Sequence, residues 1–351
     1  MAERAGPLVD RASVTFQLRD PDRALTGVRL LPDFRIPGQR LRFDRAGDRW
    51  RLRVARPPVW RMEYRLELQH PDGGREEVCD PENPLRAPGA FGEKSVVEFP
   101  DYVRPAWLDA SRVDGHSTEL TVPSRLLRAE VPVRLWAPAD AEPAEPLPLL
   151  LAHDGPEYDT LAGLTRFSAA MIAAGRLPRH RIALLGPGHR DEWYSANVGY
   201  ARAVALALLP ALRRTVAVHR PVAGMGASLG ALAMLHLQRR QDGVLGGMFL
   251  QSGSFFDRRT DPQERDFARF TRINRFVLAT ARGGPSTEPV PVTLTCGTVE
   301  ENLANNRQLA TALLGQGYDV RLVLHPDAHN YVSWRDAFDP ALVDLLATVW
   351  A

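Results

Sequence analysis

The sequence predicts an α/β domain, built on a mostly parallel sheet with helices on both faces, preceded by a smaller all-β sandwich. Two observations carry this. Up to about residue 108, apolar and polar residues alternate in short runs broken by Gly, Pro and Asp, the period of half-buried antiparallel strands. From Val131 onward, short apolar runs alternate with longer stretches of helical period, the pattern of a parallel sheet with covering helices. The boundary predicted from this change of rhythm divides the chain into domains over 1–108 and 109–351.

In the first part the alternating runs are Ser13–Leu18, Leu41–Asp44, Trp50–Val54 and Met62–Leu68. Pro81, Pro84, Pro88, Pro100 and Pro105 then punctuate a stretch expected to lie extended over a surface and not inside a sheet, because proline has no N–H to give a ladder. In the second part strands are expected near Val131–Trp136, Pro148–Ala152, Arg181–Leu185, Val222–Gly224, Gly247–Leu250, Val292–Thr295 and Val320–Leu324. Helices are expected over Leu161–Ala174, Tyr200–Thr215, Leu229–Arg239, Glu264–Ala281, Leu303–Gln316 and Trp334–Trp350.

With 351 residues, 44% hydrophobic and 25% charged, the chain is long and apolar enough for two cores. Forty-four basic side chains against 42 acidic ones leave a net charge of +2, which implies no nucleic acid or other polyanion as partner. Lys94 is the only lysine. Two cysteines, Cys79 and Cys296, are too few for a disulfide framework or a cysteine-built metal site and read as reduced structural thiols. The first residues lack the apolar run of a secretory signal, and no apolar stretch approaches the roughly 20 residues that span a bilayer. A cytoplasmic location without a membrane partner is therefore expected.

Chemistry is concentrated at three places. Gly226-Ala227-Ser228-Leu229-Gly230 is a GxSxG motif where an apolar strand ends and an apolar helix begins, the nucleophile-elbow context of the α/β-hydrolase fold. So tight a turn excludes side chains at 226 and 230 and pushes the serine outward at the helix start. The Leu229 amide, at that helix N-terminus, is then placed to stabilise an oxyanion. A second donor is expected from the loop His153-Asp154-Gly155-Pro156-Glu157; since Pro156 has no N–H, Gly155 or Glu157 must serve, and Gly155 also permits close approach of a substrate.

The remaining members follow in the order serine, acid, histidine. The strand through Thr295 runs into Glu300 and Glu301, of which Glu300 is favoured as the acid; either could instead simply charge the first turn of the next helix. The last strand delivers His325 and His329. His329, out in the loop, is the candidate base, while His325 at the strand end suits a structural role. A Ser228–His329–Glu300 set needs neither metal nor organic cofactor.

Several of these segments together resemble the esterase family that includes the enterochelin, or ferric enterobactin, esterases. The matching elements are Ala223 through Gly230, Gln251-Ser252-Gly253-Ser254-Phe255, Gly297-Thr298-Val299-Glu300, Asn306-Arg307, His329-Asn330 and Trp334-Arg335. The N-terminal segments Asp80-Pro81-Glu82-Asn83-Pro84 and Tyr102 through Leu108 are similar to the sandwich domain of those esterases, so the resemblance covers nearly the whole chain. Ala231 departs from it, standing where many relatives continue with glycine.

The resemblance implies Ser228 as nucleophile, His329 as base and Glu300 as acid, although some relatives work with a Ser–His pair. It implies as substrate a small-molecule ester, a triscatecholate siderophore whose hydrolysis releases iron. An anionic ferric complex would call on Arg190 for charge and on Trp193 or Tyr194 for stacking against catechol rings. Alternatively Arg190 pairs with Asp191 or Glu192 and the aromatics are core. Two rival readings are another ester, feruloyl or acetyl, and a binding protein of the same fold without activity.

Overall fold

The computed structural model describes residues 6–219, 221–284 and 286–351. Two compact units emerge. One comprises residues up to Val103 together with Thr298–Glu300 and Pro326–Ser333; the other comprises Arg104–Gly297, Glu301–His325 and Trp334–Ala351.

Among the described residues, the first unit is built on β1 (Leu8–Val9), β2 (Ser13–Arg19), β3 (Gly27–Pro32), β4 (Asp44–Ala46), β5 (Arg49–Ala55), β6 (Arg61–Gln69), β7 (Arg75–Val78), β8 (Arg86–Ala87) and β9 (Lys94–Glu98). They form two antiparallel sheets, ordered β1-β2-β5-β4 and β3-β6-β9-β8, with β7 pairing β6. Alternation does the work that the sequence suggests. In β5 Trp50, Leu52 and Val54 are buried while Arg51, Arg53 and Ala55 face out. Side chains of both sheets meet in one core, where Phe16 of β2 packs edge-on against Tyr64 of β6 with ring centroids 5.0 Å apart.

One expectation fails here. The proline-punctuated stretch does contribute to a sheet, because between Pro88 and Pro100 lie enough residues for β9, which sits between β6 and β8 with Ser95, Val96 and Val97 buried. Just before it, the Asp80–Asn83 turn is locked into the core by its side chains. Tyr64 Oη donates to Asp80 Oδ2 at 2.7 Å, and Asn83 Nδ2 donates to Tyr64 Oη at 3.1 Å and to the Val96 carbonyl at 2.8 Å. Burial raises the Asp80 carboxyl above its usual range, against the opposing pull of the Tyr64 hydroxyl, the Glu82 and Asn83 backbone amides and Arg86.

The second unit carries β10 (Gly115–Ser124), β11 (Ala129–Pro138), β12 (Leu149–Ala152), β13 (Arg181–Leu185), β14 (Ala223–Ala227), β15 (Gly247–Gln251), β16 (Val292–Gly297) and β17 (Val320–His325) in one sheet ordered β10-β11-β13-β12-β14-β15-β16-β17. β10 and β11 are antiparallel to their neighbours; all other pairings are parallel. β12 through β15 are buried along their whole length, as strands covered on both faces must be. This is the mixed α/β architecture that the sequence predicts. β10 escapes a reading for apolar runs because its first five residues, Gly115–Glu119, are exposed and polar.

The covering helices are α1 (Gly155–Ala162), α2 (Leu164–Ala173), α3 (Arg190–Trp193), α4 (Val198–Ala203), α5 (Leu209–Thr215), α6 (Leu229–Arg240), α7 (Phe270–Ala281), α8 (Leu303–Gly315), α9 (Tyr331–Asp336) and α10 (Val343–Val349). The expected single helix over Leu161–Ala174 is two, because Gly163 adopts a left-handed conformation (φ 66°) that caps α1 and starts α2. Among the described residues no helix is long and apolar enough to cross a membrane. Neither Cys79 nor Cys296 is in a disulfide.

Candidate active site

Ser228 lies in the second unit, where β14 stops and α6 begins, at φ 54° and ψ −122°. A non-glycine residue holds this conformation only where its surroundings enforce it, at a cost of order 1–3 kcal/mol. The surroundings are visible. A Cβ on Gly226 would come 2.5 Å from the Gly230 carbonyl carbon, and one on Gly230 would meet the His153 Cβ at 3.2 Å. The backbone of the next strand's turn adds two bonds: the Ser228 amide donates to the Gln251 carbonyl at 2.9 Å, and the Ser254 amide donates to the Ser228 carbonyl at 3.1 Å. Leu229 is the first residue of α6, so its amide is among those a helix N-terminus leaves without an intrahelical partner.

Sequence reasoning did not anticipate the neighbour of the serine hydroxyl, Ser254, whose Oγ lies 3.0 Å from Ser228 Oγ. Its loop is pinned from below. Asn306 accepts from the Gly253 amide at 3.0 Å and donates to the Gly253 carbonyl at 2.9 Å, Asn302 donates to the Ser252 carbonyl at 3.0 Å, and Trp334 Nε1 donates to Ser252 Oγ at 2.9 Å. Ser252 is itself a positive-φ residue at 46°. These contacts give a physical reason for the clustered Gln251–Phe255, Asn306 and Trp334 segments.

Gly155 opens α1 and is buried against β13, where a Cβ would lie 2.3 Å from the Leu184 Cα. A glycine at 155 is therefore required by packing. Beside it, His153 Nδ1 lies 3.0 Å from the Gly230 carbonyl, and burial lowers this imidazole to about 4, so it stays neutral and structural.

Arg190 is engaged by an acid the sequence reading did not name as its partner. It holds Asp154 through two nitrogens, Nε at 2.9 Å and Nη2 at 2.8 Å, and that carboxylate's side chain is only 4% exposed. A guanidinium so engaged is already neutralising a buried charge. Trp193 and Tyr194 are core residues: Trp193 stacks on Tyr200 with centroids 5.6 Å apart, and Tyr194 packs against His153 at 4.7 Å. Their faces are taken by these neighbours, which removes the ground for assigning them to catechol stacking.

Glu300 and His329 lie in the first unit, on loops that continue from the carboxyl ends of β16 and β17. Glu300 Oε2 and His329 Nδ1 are 2.7 Å apart, with the carboxylate buried and the imidazole 36% exposed. Glu301, by contrast, is exposed. A carboxylate at Nδ1 orients the ring and fixes its tautomer. His325 is buried as the last residue of β17, paired with Gly297 in the ladder. Among the described residues there is no His, Cys, Asp and Glu grouping suited to a metal ion.

A family model whose description reads "Putative esterase" matches residues 124–345, and the chain belongs to that family. Curated protein sequences offer no match. Among solved structures, the chain is similar to an enterobactin esterase from Shigella flexneri determined in the presence of 2,3-di-hydroxy-N-benzoyl-glycine, with TM-score 0.78, 19% identity, and 98% of this chain and 97% of that one covered. It is similar to the same degree, TM-score 0.78 at 19% identity over 98% and 97%, to a ferric enterobactin esterase from Salmonella typhimurium. A ferulic acid esterase is matched with TM-score 0.55 and 16% identity, over 66% of this chain and 98% of that one. At such identities the likeness is one of fold.

Proposed function

We propose that the protein is a serine esterase in which Ser228 is the nucleophile, His329 the general base and Glu300 the acid that orients it. Ser228 Oγ attacks the ester carbonyl while His329 Nε2 takes its proton. The tetrahedral oxyanion is stabilised by the amides of Leu229 and Gly155. His329 returns the proton to the departing alcohol, and water releases the acyl group by the same steps in reverse roles. The observation that carries this reading is the strained Ser228 turn, held at φ 54° between β14 and α6, a backbone conformation that L residues rarely adopt outside functional sites. The Glu300–His329 hydrogen bond of 2.7 Å supports it independently.

For the substrate we propose an ester or trilactone of a catecholate siderophore, opened in the cytoplasm to release iron. Support comes from the extent of the likeness: the enterobactin esterases match this chain over 98%, sandwich included, whereas the ferulic acid esterase matches 66%. Feruloyl or acetyl esters form the alternative within the same chemistry. A fluorophosphonate probe should label the wild type and leave Ser228→Ala unlabelled. Hydrolysis of a ferric trilactone siderophore should exceed that of feruloyl and nitrophenyl esters. A preference for feruloyl esters would overturn the siderophore assignment, and an unlabelled, inactive wild type would make this a binding protein.

A further inference from the structure

Within the first unit, the loop that carries His329 is fastened to a buried group of charges that the chemistry above leaves unused. Asn330 Nδ2 donates to Asp33 Oδ2 at 3.1 Å, across 297 positions of sequence, and Asn330 Oδ1 accepts from the Ser333 amide at 2.9 Å. The second bond fixes the amide's orientation, so the group facing Asp33 is the NH2. Asp33, whose side chain is 5% exposed, lies 3.8 Å from Lys94 Nζ; Lys94 lies 3.6 Å from Glu63, and Glu63 lies 3.5 Å from Arg61. The chain's only lysine therefore stands among buried carboxylates.

Other ties act on the same loop. The Trp60 amide donates to the Pro326 carbonyl at 2.7 Å, Asp327 Oδ1 accepts from the Ala328 amide at 2.8 Å, and Val332 is buried with Ala87 and Val96. Burying this many ionisable groups costs free energy that hydrophobic packing of the same site would avoid. The Asp33 carboxyl is pushed up to about 7 by burial and by Glu63, against the pull of Lys94, Asn330 and Arg61. A hydrogen bond to such a carboxylate is among the stronger ones available to a side-chain amide.

We propose that Asp33 is a positioning residue for the catalytic base: by holding Asn330 it fixes the loop that sets the His329 imidazole against Glu300. The sandwich thereby supplies part of the reaction geometry. This rests on the serine-esterase reading for the role of His329, but the strut itself does not.

The test uses the full chain and the variants Asp33→Ala, Asn330→Ala, their combination and Asp33→Asn. Displacing a catalytic group by about 1 Å costs on the order of 100-fold. Either alanine variant should lower kcat on a nitrophenyl ester by about 10- to 100-fold while KM stays within about threefold. The double variant should be no worse than the singles, since both remove one interaction. Asp33→Asn, whose amide oxygen still accepts from Asn330, should stay within about threefold of wild type.

Amide hydrogen exchange gives the second readout. Exchange over residues 326–333 should rise in both alanine variants while β2, β5 and β6 stay protected. A folded alanine variant with kcat within twofold of wild type, losses that multiply in the double variant, or unchanged exchange over 326–333 would each overturn the proposal. Should Asp33→Ala fail to fold, Asn330→Ala carries the same comparisons. Should the wild type hydrolyse no ester and bind no probe, the esterase reading fails, and the exchange measurement alone then decides whether Asp33 holds the loop.

Discussion

Around Ser228 the geometry is enforced by backbone: a turn at positive φ, a Gly226 with no room for a Cβ, and ladder-like bonds from Gln251 and Ser254. Around His329 it is enforced by side chains from distant segments, namely Glu300 on one side and Asp33 acting through Asn330 on the other. The comparison teaches that the two devices fail differently. Steric enforcement needs no partner and is indifferent to pH, but it tolerates almost no substitution. Polar enforcement tolerates conservative replacement, yet it depends on the ionisation of buried groups.

The sharpest test of the proposed roles removes the reacting groups themselves. Ser228→Ala and His329→Ala should each lower kcat by roughly 10⁴- to 10⁶-fold, leaving on the order of 10³-fold over water from the oxyanion donors and binding. Combining them should cost no more than the worse single change. Multiplicative losses, read by single-turnover kinetics on a nitrophenyl ester, would mean that serine and histidine do not act as one unit.

Gly226→Ala probes the steric side of the comparison. Its new methyl would sit 2.5 Å from the Gly230 carbonyl carbon, so backbone has to move, and a loss of about 3 kcal/mol in urea unfolding is expected. Gly230→Ala meets a side-chain carbon, that of His153, at 3.2 Å and should cost about 1 kcal/mol. Equal losses at the two glycines would break the argument that the turn is set by the 226–230 backbone approach.

The polar side is sharpened at the acid. Glu300→Gln keeps the size but removes the charge opposite His329, and kcat should fall by about 10- to 100-fold, whereas exposed Glu301→Gln should stay within about twofold. The reverse ranking would move the acid role to Glu301.

This division also explains what was legible in the sequence. The GxSxG turn could be read because steric demands fall on consecutive residues: only glycine meets them at 226, and the strand and helix either side declare themselves by period. The βα rhythm behaved likewise, since β12 through β15 are buried throughout and so read as apolar runs. What could not be read depended on separation in space. Arg190 looked like a ligand group because Asp154, its partner, stands 36 residues away, and Trp193 and Tyr194 look alike in sequence whether exposed or core. Ser254 and Asp33 carry no local pattern at all; the first becomes visible only when β14 and β15 pair, the second only when the loop after β17 returns to the sandwich unit.

The last predicted effect isolates the cost of keeping ionisable groups beneath the histidine loop. Burial, with Asp33 and Glu63 nearby, pushes the Asp327 carboxyl up to about 7 from an ordinary 3.8, opposed by Arg61 and by the Ala328 amide. Unfolded chains lose this proton near pH 4, the native protein near 7, so between these values the native state binds the extra proton. Stability from this group therefore falls as pH rises from about 4 to 7, and the penalty is fully present above that, at up to about 4 kcal/mol. Asp327→Asn removes the ionisation while its amide oxygen still accepts from Ala328. Its Tm advantage over wild type should be largest at pH 8, smaller at pH 5, and smallest below pH 4. If the variant is instead less stable at pH 8 than at pH 5 relative to wild type, the carboxylate is paired with Arg61 as an anion, and the charges under the loop stabilise it through attraction rather than burdening it with desolvation.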